Sequence, residues 1–166
     1  MSEVGTEASF ERVLADVRAE HEAWMELIGR LPPEEATARP NDGWSAVDAL
    51  VHVTAWKENA LKLARNQAEP GAPDLDPDMG LPGILRIDVD AYNAEMFEAH
   101  RDWTPERALA WSERIHRDLL AALAALPVER LLGGRDPHGA RRWCARAGMS
   151  HPREHREELE RRFGNA

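Results

Sequence analysis

Apolar residues recur at intervals of three and four along most of this chain, and this spacing constrains the fold more than any other feature. The first series comprises Phe10, Val13, Leu14, Val17, Trp24, Leu27 and Ile28. Residues at this spacing share one face of an α-helix, so the series predicts a helix that buries one side. Gly29, followed by Pro32 and Pro33, marks its end.

A second helix has the clearest start signal in the sequence. Ser45 can cap its first turn, and Asp48, three residues later, completes a capping box. Trp44, immediately before the cap, can pack back onto the helix as a hydrophobic staple. The helix is predicted to continue to about Asn66, with His52 near its middle. Its apolar positions are Val47, Leu50, Val51, Ala55, Trp56 and Leu63.

Residues 67–83 contain four prolines and three glycines, a density at which no helix survives. They predict a long loop between the second and third helices, and a loop of this length is a candidate lid over a site. A third helix is predicted over residues 84–101. A fourth begins at the Thr104 cap, with Pro105 in its first position, and ends at Pro127.

The connection after the fourth helix contains Gly-Gly and Asp-Pro pairs, which favour an irregular segment. A short helix is predicted around residues 141–147, and a last helix begins near Ser150 or His151 and ends at Gly164. Four long helices and a shorter terminal one predict an all-α fold, an antiparallel four-helix bundle with a short extra C-terminal helical segment. The length fits one domain, residues 1–166.

Charge and cysteine content narrow the possible partners. The formal net charge is −9, with the acidic residues spread along the chain, which argues against nucleic-acid binding. The single cysteine, Cys144, cannot form an intramolecular disulfide and favours a reducing compartment. We see neither a signal peptide nor the roughly 20 apolar residues of a membrane span. We therefore expect a soluble cytoplasmic protein that binds no membrane, and a homodimer is a candidate assembly.

Two of the seven histidines, His151 and His155, stand four residues apart and so lie on one helical face about one turn apart. This is a common way to offer two ligands to a divalent metal such as zinc, nickel or iron. A third ligand must come from another helix, and His52 is the best candidate. Alternatively, His52 is a packed core histidine, and the pair is a surface coincidence in an arginine- and glutamate-rich helix.

A family resemblance supports the metal interpretation. The stretch Gly43-Trp-Ser-Ala-Val-Asp-Ala-Leu-Val-His-Val-Thr-Ala-Trp56 resembles the G-W-S-x-x-D-x-L-x-H-x-x-x-W signature of the DinB/YfiT-like superfamily, which includes maleylpyruvate isomerase N-terminal-type and ClbS/DfsB-type proteins. The resemblance implies a four-helix bundle that binds a divalent metal through one histidine of the second helix and an H-x3-H pair in the last. These positions correspond here to His52, His151 and His155.

The same resemblance implies an activity. It implies a metal-dependent enzyme, a thiol-dependent S-transferase, an isomerase or a hydrolase, that acts on a small electrophilic molecule. A low-molecular-weight thiol such as mycothiol or bacillithiol would then be a candidate cofactor.

The middle of the chain is similar to one subgroup. Asp90-Ala-Tyr-Asn93-Ala-Glu-Met-Phe97 resembles the D-x-x-N-x-x-x-[FY] stretch that follows the long loop in ClbS/DfsB-type proteins. By that analogy Asn93 faces a pocket, and Trp56 and Tyr92 are the other candidate substrate-binding residues. The alternative function is therefore metal-independent resistance to, or sequestration of, a reactive small molecule. A second alternative is a non-catalytic dimeric bundle, without metal or cavity, with an apolar patch on its outer surface.

Pro152 lies inside the histidine pair and complicates the prediction. Its missing N–H forbids an unbroken α-helix running through from residue 148. The pair survives if His151 lies at the helix cap and Pro152 in the first turn; otherwise His151 is not a ligand. Among the remaining histidines, His21 is predicted to be a packed core residue. His100, His116 and His138 are predicted to lie at the surface.

Overall fold

A computed structural model describes residues 3–41, 43–69, 71, 88–126 and 146–163, and all its regular elements are helical. They are α1 (Glu3–Arg30), α2 (Pro33–Thr37), α3 (Ala46–Ala68), α4 (Val89–His100), α5 (Pro105–Ala125) and α6 (His151–Phe163), with a π-helical turn (Arg146–Ser150) directly before α6. No strand occurs in these ranges. The predicted all-α bundle is confirmed. No helix in the described ranges is long and apolar enough to cross a membrane.

Most helix boundaries follow the predicted start and stop signals. α3 extends to Ala68, so Gln67 is a buried helical residue and not the first residue of a loop. α4 begins at Val89, because the Asp88 side chain accepts hydrogen bonds from the next free backbone amides and caps the helix there. The short helix α2 was not predicted. It forms because Pro33 occupies its first turn, where no N–H is needed.

Residue 70 and residues 72–87, which include most of the predicted long loop and the start of the predicted third helix, lie outside the described residues. So do the predicted connection after residue 126, most of the predicted short helix at 141–147, His138 and Cys144.

Helix α3 is the centre of the bundle. Of its 23 residues, 18 are buried, which is far more than a one-sided amphipathic helix would bury. Its N-terminal half packs with α1, α2 and α6 in one apolar cluster, which includes Trp24, Leu50 and Leu159. Its C-terminal half packs with α1 and α5 in a second cluster, which includes Leu61 and Leu119. Any side chain near the middle of α3 is therefore held rigidly between its neighbours.

Polar side chains also occupy the interior. His21 of α1 stacks on His116 of α5, with ring centroids 3.8 Å apart and an interplanar angle of 11°. His21 is a core residue, as predicted, whereas the prediction that His116 lies at the surface was wrong, because that ring packs flat against His21. Lys57 of α3 is fully buried, and its Nζ has no hydrogen-bond partner among the described residues.

Candidate metal centre

The N-terminal end of α3 is fixed by the capping box that the sequence predicts. The Ser45 hydroxyl accepts a hydrogen bond from the Asp48 backbone N–H at 3.0 Å, and the Asp48 carboxylate accepts one from the Ser45 N–H at 2.8 Å. The Arg39 guanidinium donates two more bonds to Asp48, at 2.7 and 2.9 Å. A Cβ on Gly43 would lie 2.9 Å from the Pro40 carbonyl oxygen, so the tight approach to this cap requires glycine. His52 lies one turn after Asp48, so the capped start of α3 also fixes the position of His52.

Helix α6 places the other two histidines against His52. The Nε2 atoms of His52 and His151 are 3.0 Å apart, and those of His151 and His155 are 3.2 Å apart. One ring nitrogen from each of the three residues lies within 4.8 Å of the other two. Ligands at about 2.05 Å from a tetrahedral zinc ion are separated by about 3.3 Å, which is close to these spacings. Three imidazoles from two helices therefore converge on one point.

The backbone before Pro152 shows how the proline is accommodated. His151 is the first residue of α6 and Pro152 the second, and a π-helical turn occupies the residues immediately before them. An α-helix through this point would require the N–H that Pro152 lacks, and the π-helical turn takes its place. The Pro152 carbonyl accepts a hydrogen bond from the Trp24 indole N–H at 3.0 Å. Pro152 therefore lies in the first turn of α6, as the prediction required, and His151 is the first residue of α6 and not a cap before it.

Burial keeps two of these imidazoles in the neutral form that binds metal. It lowers the pKa of His52 from 6.5 to about 3, with a smaller contribution from the neighbouring His151 and His155. It also lowers the pKa of His155, although Glu158 and Glu154 partly oppose the effect. Neutral imidazoles carry one lone pair each, and a single cation between them satisfies several lone pairs at once.

A pocket of about 360 Å³ opens beside the three histidines. The other described residues that line it are Trp44, Trp56, Val89, Asn93 and Ala147. They include no charged side chain, so the described part of the wall is apolar with one amide. A pocket of this size and character is typical of small-molecule sites.

The candidate substrate-binding residues take different positions around this pocket. Trp56 and Asn93 line it, and the Trp56 indole N–H donates a hydrogen bond to the Asn93 side-chain oxygen at 3.3 Å. Tyr92 is not among the described lining residues. Its hydroxyl donates to the Ala55 carbonyl at 3.4 Å, and its ring packs edge-on against Trp56 with centroids 5.1 Å apart. Burial raises the pKa of Tyr92, so its hydroxyl stays protonated and can donate to Ala55, while its ring packs against Trp56.

Trp44 has a larger part in the site than its sequence position indicated. Its ring lies 4.6 Å from that of His52 and 6.1 Å from that of His155, between centroids. The sequence assigned it only to a hydrophobic staple. Trp44 precedes the N-cap Ser45 and lies outside α3, so helical spacing gave no signal that its ring would reach His52. Trp44 closes one side of the histidine cluster.

His100 is not a member of the three-histidine cluster. It was predicted to lie at the surface but is half-buried, because it packs in an aromatic group with Trp103 and Trp111. It also lines a small cavity that His52 shares.

Comparison with known protein families gives a match over most of the chain. The family model of the DinB superfamily matches residues 16–159, a range that includes all three histidines. No curated protein and no solved structure matches the chain significantly.

Proposed function

The chain belongs to the DinB superfamily, and we propose that it is a metal-dependent enzyme in which His52, His151 and His155 hold one divalent cation. The observation that carries this proposal is the convergence of three ring nitrogens from two helices within 4.8 Å of one another. Zinc, nickel and ferrous iron are the ions that accept such a nitrogen set. With these three residues as ligands, a bound ion would have a coordination position left for water or substrate.

We further propose that a small electrophilic molecule occupies the pocket, with a low-molecular-weight thiol as a possible co-substrate. A bound divalent cation supplies Lewis acidity and lowers the pKa of water or a thiol. Side chains of the protein bind and orient the substrate. Trp44 and Trp56 bind the apolar part of the substrate and exclude water, and the Asn93 amide orients a polar group. The resulting activity is S-transfer, isomerisation or hydrolysis in the cytoplasm.

Metal content tests the first step. Elemental analysis of tag-free protein, reconstituted in turn with zinc, nickel and ferrous iron, is expected to give close to one ion per chain for one of them. His52→Ala and His155→Ala should both lose that ion, and His100→Ala is the matched control that should retain it. Circular dichroism of each variant separates ligand loss from unfolding. Absence of metal in the reconstituted wild type would contradict the metalloenzyme proposal.

A second function, metal-independent capture or hydrolysis of a reactive small molecule, is favoured by one observation. The Trp56–Asn93 hydrogen bond holds an amide at the pocket wall and involves none of the three histidines. This function predicts that His52→Ala still protects cells from an electrophilic toxin whereas Asn93→Ala does not. The metalloenzyme proposal predicts loss of protection in both variants.

The third alternative, a non-catalytic dimeric bundle, has little support in the described surface. It predicts an outer apolar patch and no cavity, yet among the side chains whose exposure the structure describes (residues 10–41, 43–69, 71, 88–126 and 147–163) the only exposed large apolar one is Val89. Val89 lies at the pocket, not on an open helix face.

A further inference from the structure

Helix α1 contributes no residue to the histidine cluster, yet two of its buried side chains bind the turns of α6 that carry His151 and His155. Glu20 is charged and its side chain is only 2% exposed, which is unusual unless the carboxylate is fully paired. Trp24, one turn further along α1, is completely buried. Both side chains point at the first two turns of α6.

Glu20 is paired at both oxygens. Arg156 donates from Nε to one oxygen at 2.7 Å and from a terminal nitrogen to the other at 3.1 Å, which is a bidentate arrangement. Arg153 donates from Nε to the second oxygen at 3.3 Å. Arg156 is itself mostly buried, at 15% exposure, and also binds Glu160 at 2.8 Å. Burial lowers the pKa of Lys57, and the charge of the nearby Glu20 carboxylate partly opposes this effect.

Along α6, the residues that bind α1 alternate with the candidate metal ligands His151 and His155. Each residue advances by about 100° around the helix, so His151 and His155 form one face. Pro152, Arg153 and Arg156 form another, rotated by roughly a third of a turn. The first face meets α3, and the second is held by Glu20 and Trp24. Rotation or sliding of α6 would break the bidentate ion pair and separate His151 from His52 at the same time.

We propose that Glu20 is a positioning residue of the metal centre: its ion pairs with Arg153 and Arg156 fix the rotation of α6 and so hold the histidine pair against His52. This inference rests on the proposed metal function for its consequence, but the positioning itself concerns the protein without metal. The Trp24–Pro152 hydrogen bond fixes the start of α6, and Glu20 fixes its next turn. A carboxylate suits this role because its two oxygens and its charge give strong, bidentate hydrogen bonds to guanidinium groups, which the single oxygen of an amide cannot match.

The test measures helix position and metal affinity separately. Spin labels are attached to Lys62→Cys in α3 and Glu157→Cys in α6, in a Cys144→Ser background. Pulsed electron paramagnetic resonance on the metal-free protein then measures the distance between these two helices. Glu20→Gln is the test variant. Glu160→Gln is the matched control, because it removes the other carboxylate bound to Arg156 and leaves Glu20 in place.

Glu20→Gln is expected to broaden or shift the distance distribution, and Glu160→Gln to leave it unchanged. Zinc affinity, measured by chelator competition, should fall roughly tenfold or more in Glu20→Gln and remain within about twofold in the control. Equal distributions and equal affinities in the two variants would overturn the proposal. If the wild type binds no metal, the metal function fails, and the distance comparison alone still decides the role of Glu20.

A second variant covers the case in which Glu20→Gln does not fold. Arg156→Lys keeps the positive charge beside Glu20 but cannot form the bidentate pair. It should produce the same change in the α3–α6 distance distribution, with a smaller amplitude. A folded Arg156→Lys variant with the wild-type distribution would contradict the positioning role.

Discussion

The Nε2 atoms of His52 and His151 lie 3.0 Å apart, although 99 positions separate the two residues in the chain. Only the packing of α6 against α3 brings them together, and His155 joins them because it follows His151 by about one helical turn. The Nε2 atom of a neutral imidazole carries either one proton or one lone pair, so Nε2 of His151 cannot form a full hydrogen bond with both neighbouring Nε2 atoms at once. A cation at this point would replace these competing contacts with three bonds.

Trp44 provides an optical test of where a metal binds. Its ring is 4.6 Å from that of His52, so a paramagnetic ion such as Ni²⁺ or Cu²⁺ in the cluster should quench its fluorescence strongly. We expect the Trp44→Phe variant to lose the largest share of the quenching seen in the wild type. Trp103→Phe is the control, because Trp103 contacts His100, Trp111 and Arg107 instead. Equal loss in both variants would place the ion elsewhere.

The candidate ligands could be predicted from the sequence because each rests on a local rule. The capping box fixes where α3 starts, helical spacing places His52 among buried residues, and the interval of four aligns His151 with His155. These rules act within one helix. Together with the family resemblance, they predicted the three residues that the structure brings together.

What the sequence could not show depends on contacts between helices. The burial of Glu20 and Lys57 has no local signal, since a charged residue in a helix is ordinarily solvated. His116 was predicted to lie at the surface because its burial depends on stacking with His21, 95 positions earlier, in another helix. The π-helical turn before Pro152 was not predicted either. Pro152 cannot donate the hydrogen bond that a continuous α-helix needs, and the start of α6 is held by a contact with another helix, the hydrogen bond from Trp24 to the Pro152 carbonyl.

The metal-free protein should become less stable as the pH falls from 7 to 5, because its buried histidines have lowered pKa values. Burial, followed by the charge of Lys57, lowers the pKa of His21 from 6.5 to about 3 and that of His116 to about 4. Between pH 6.5 and these values the unfolded chain binds protons that the folded chain does not, so stability falls as pH falls. Each histidine should contribute up to about 2 kcal/mol between pH 7 and pH 5.

Urea denaturation at pH 7 and pH 5 measures this effect, with His116→Gln as the informative variant. Glutamine does not titrate, so the difference in unfolding free energy between the two pH values should shrink by up to about 2 kcal/mol relative to wild type. An unchanged pH dependence in His116→Gln would mean that His116 titrates normally in the folded protein.

The Arg39–Asp48 ion pair should contribute measurably to stability. Burial alone would raise the pKa of Asp48, but hydrogen bonds from Arg39 and Ser45 outweigh it and leave the pKa below its usual value. Such a group stabilises the fold above its unfolded pKa, and the contribution is lost as pH falls through the folded pKa. We expect Asp48→Asn to cost about 2 kcal/mol at pH 7, discounted for the partly exposed Arg39.

The control for this pair is Glu98→Gln, which removes an exposed ion pair with Arg101 at 3.2 Å. Its effect should stay within about 0.5 kcal/mol. Thermal or urea unfolding at pH 7 and near pH 3 gives both numbers, and the cost of Asp48→Asn should shrink at the lower pH. A cost that does not change with pH would indicate that the capping geometry, and not the charge, is what matters.

Lys57 should make the protein less stable than it would be with an apolar residue of similar length. Its side chain is fully buried, and its Nζ has no hydrogen-bond partner among the described residues. Burial lowers its pKa from 10.5 to about 8, although Glu20 partly opposes this. Between pH 8 and pH 10.5 the unfolded chain holds a proton that the folded chain has released, so stability rises with pH across this window.

Lys57→Met removes this cost and keeps the volume. We expect the variant to be more stable than wild type at pH 7, by at most about 3 kcal/mol, because a buried unpaired ammonium group disappears. The advantage should vanish near pH 10.5, where the wild-type lysine is neutral in the folded state. Lys62→Met, at an exposed position of the same helix, is the control and should change stability little. A loss of stability in Lys57→Met at pH 7 would show that the attraction between Lys57 and Glu20 outweighs the cost of burial.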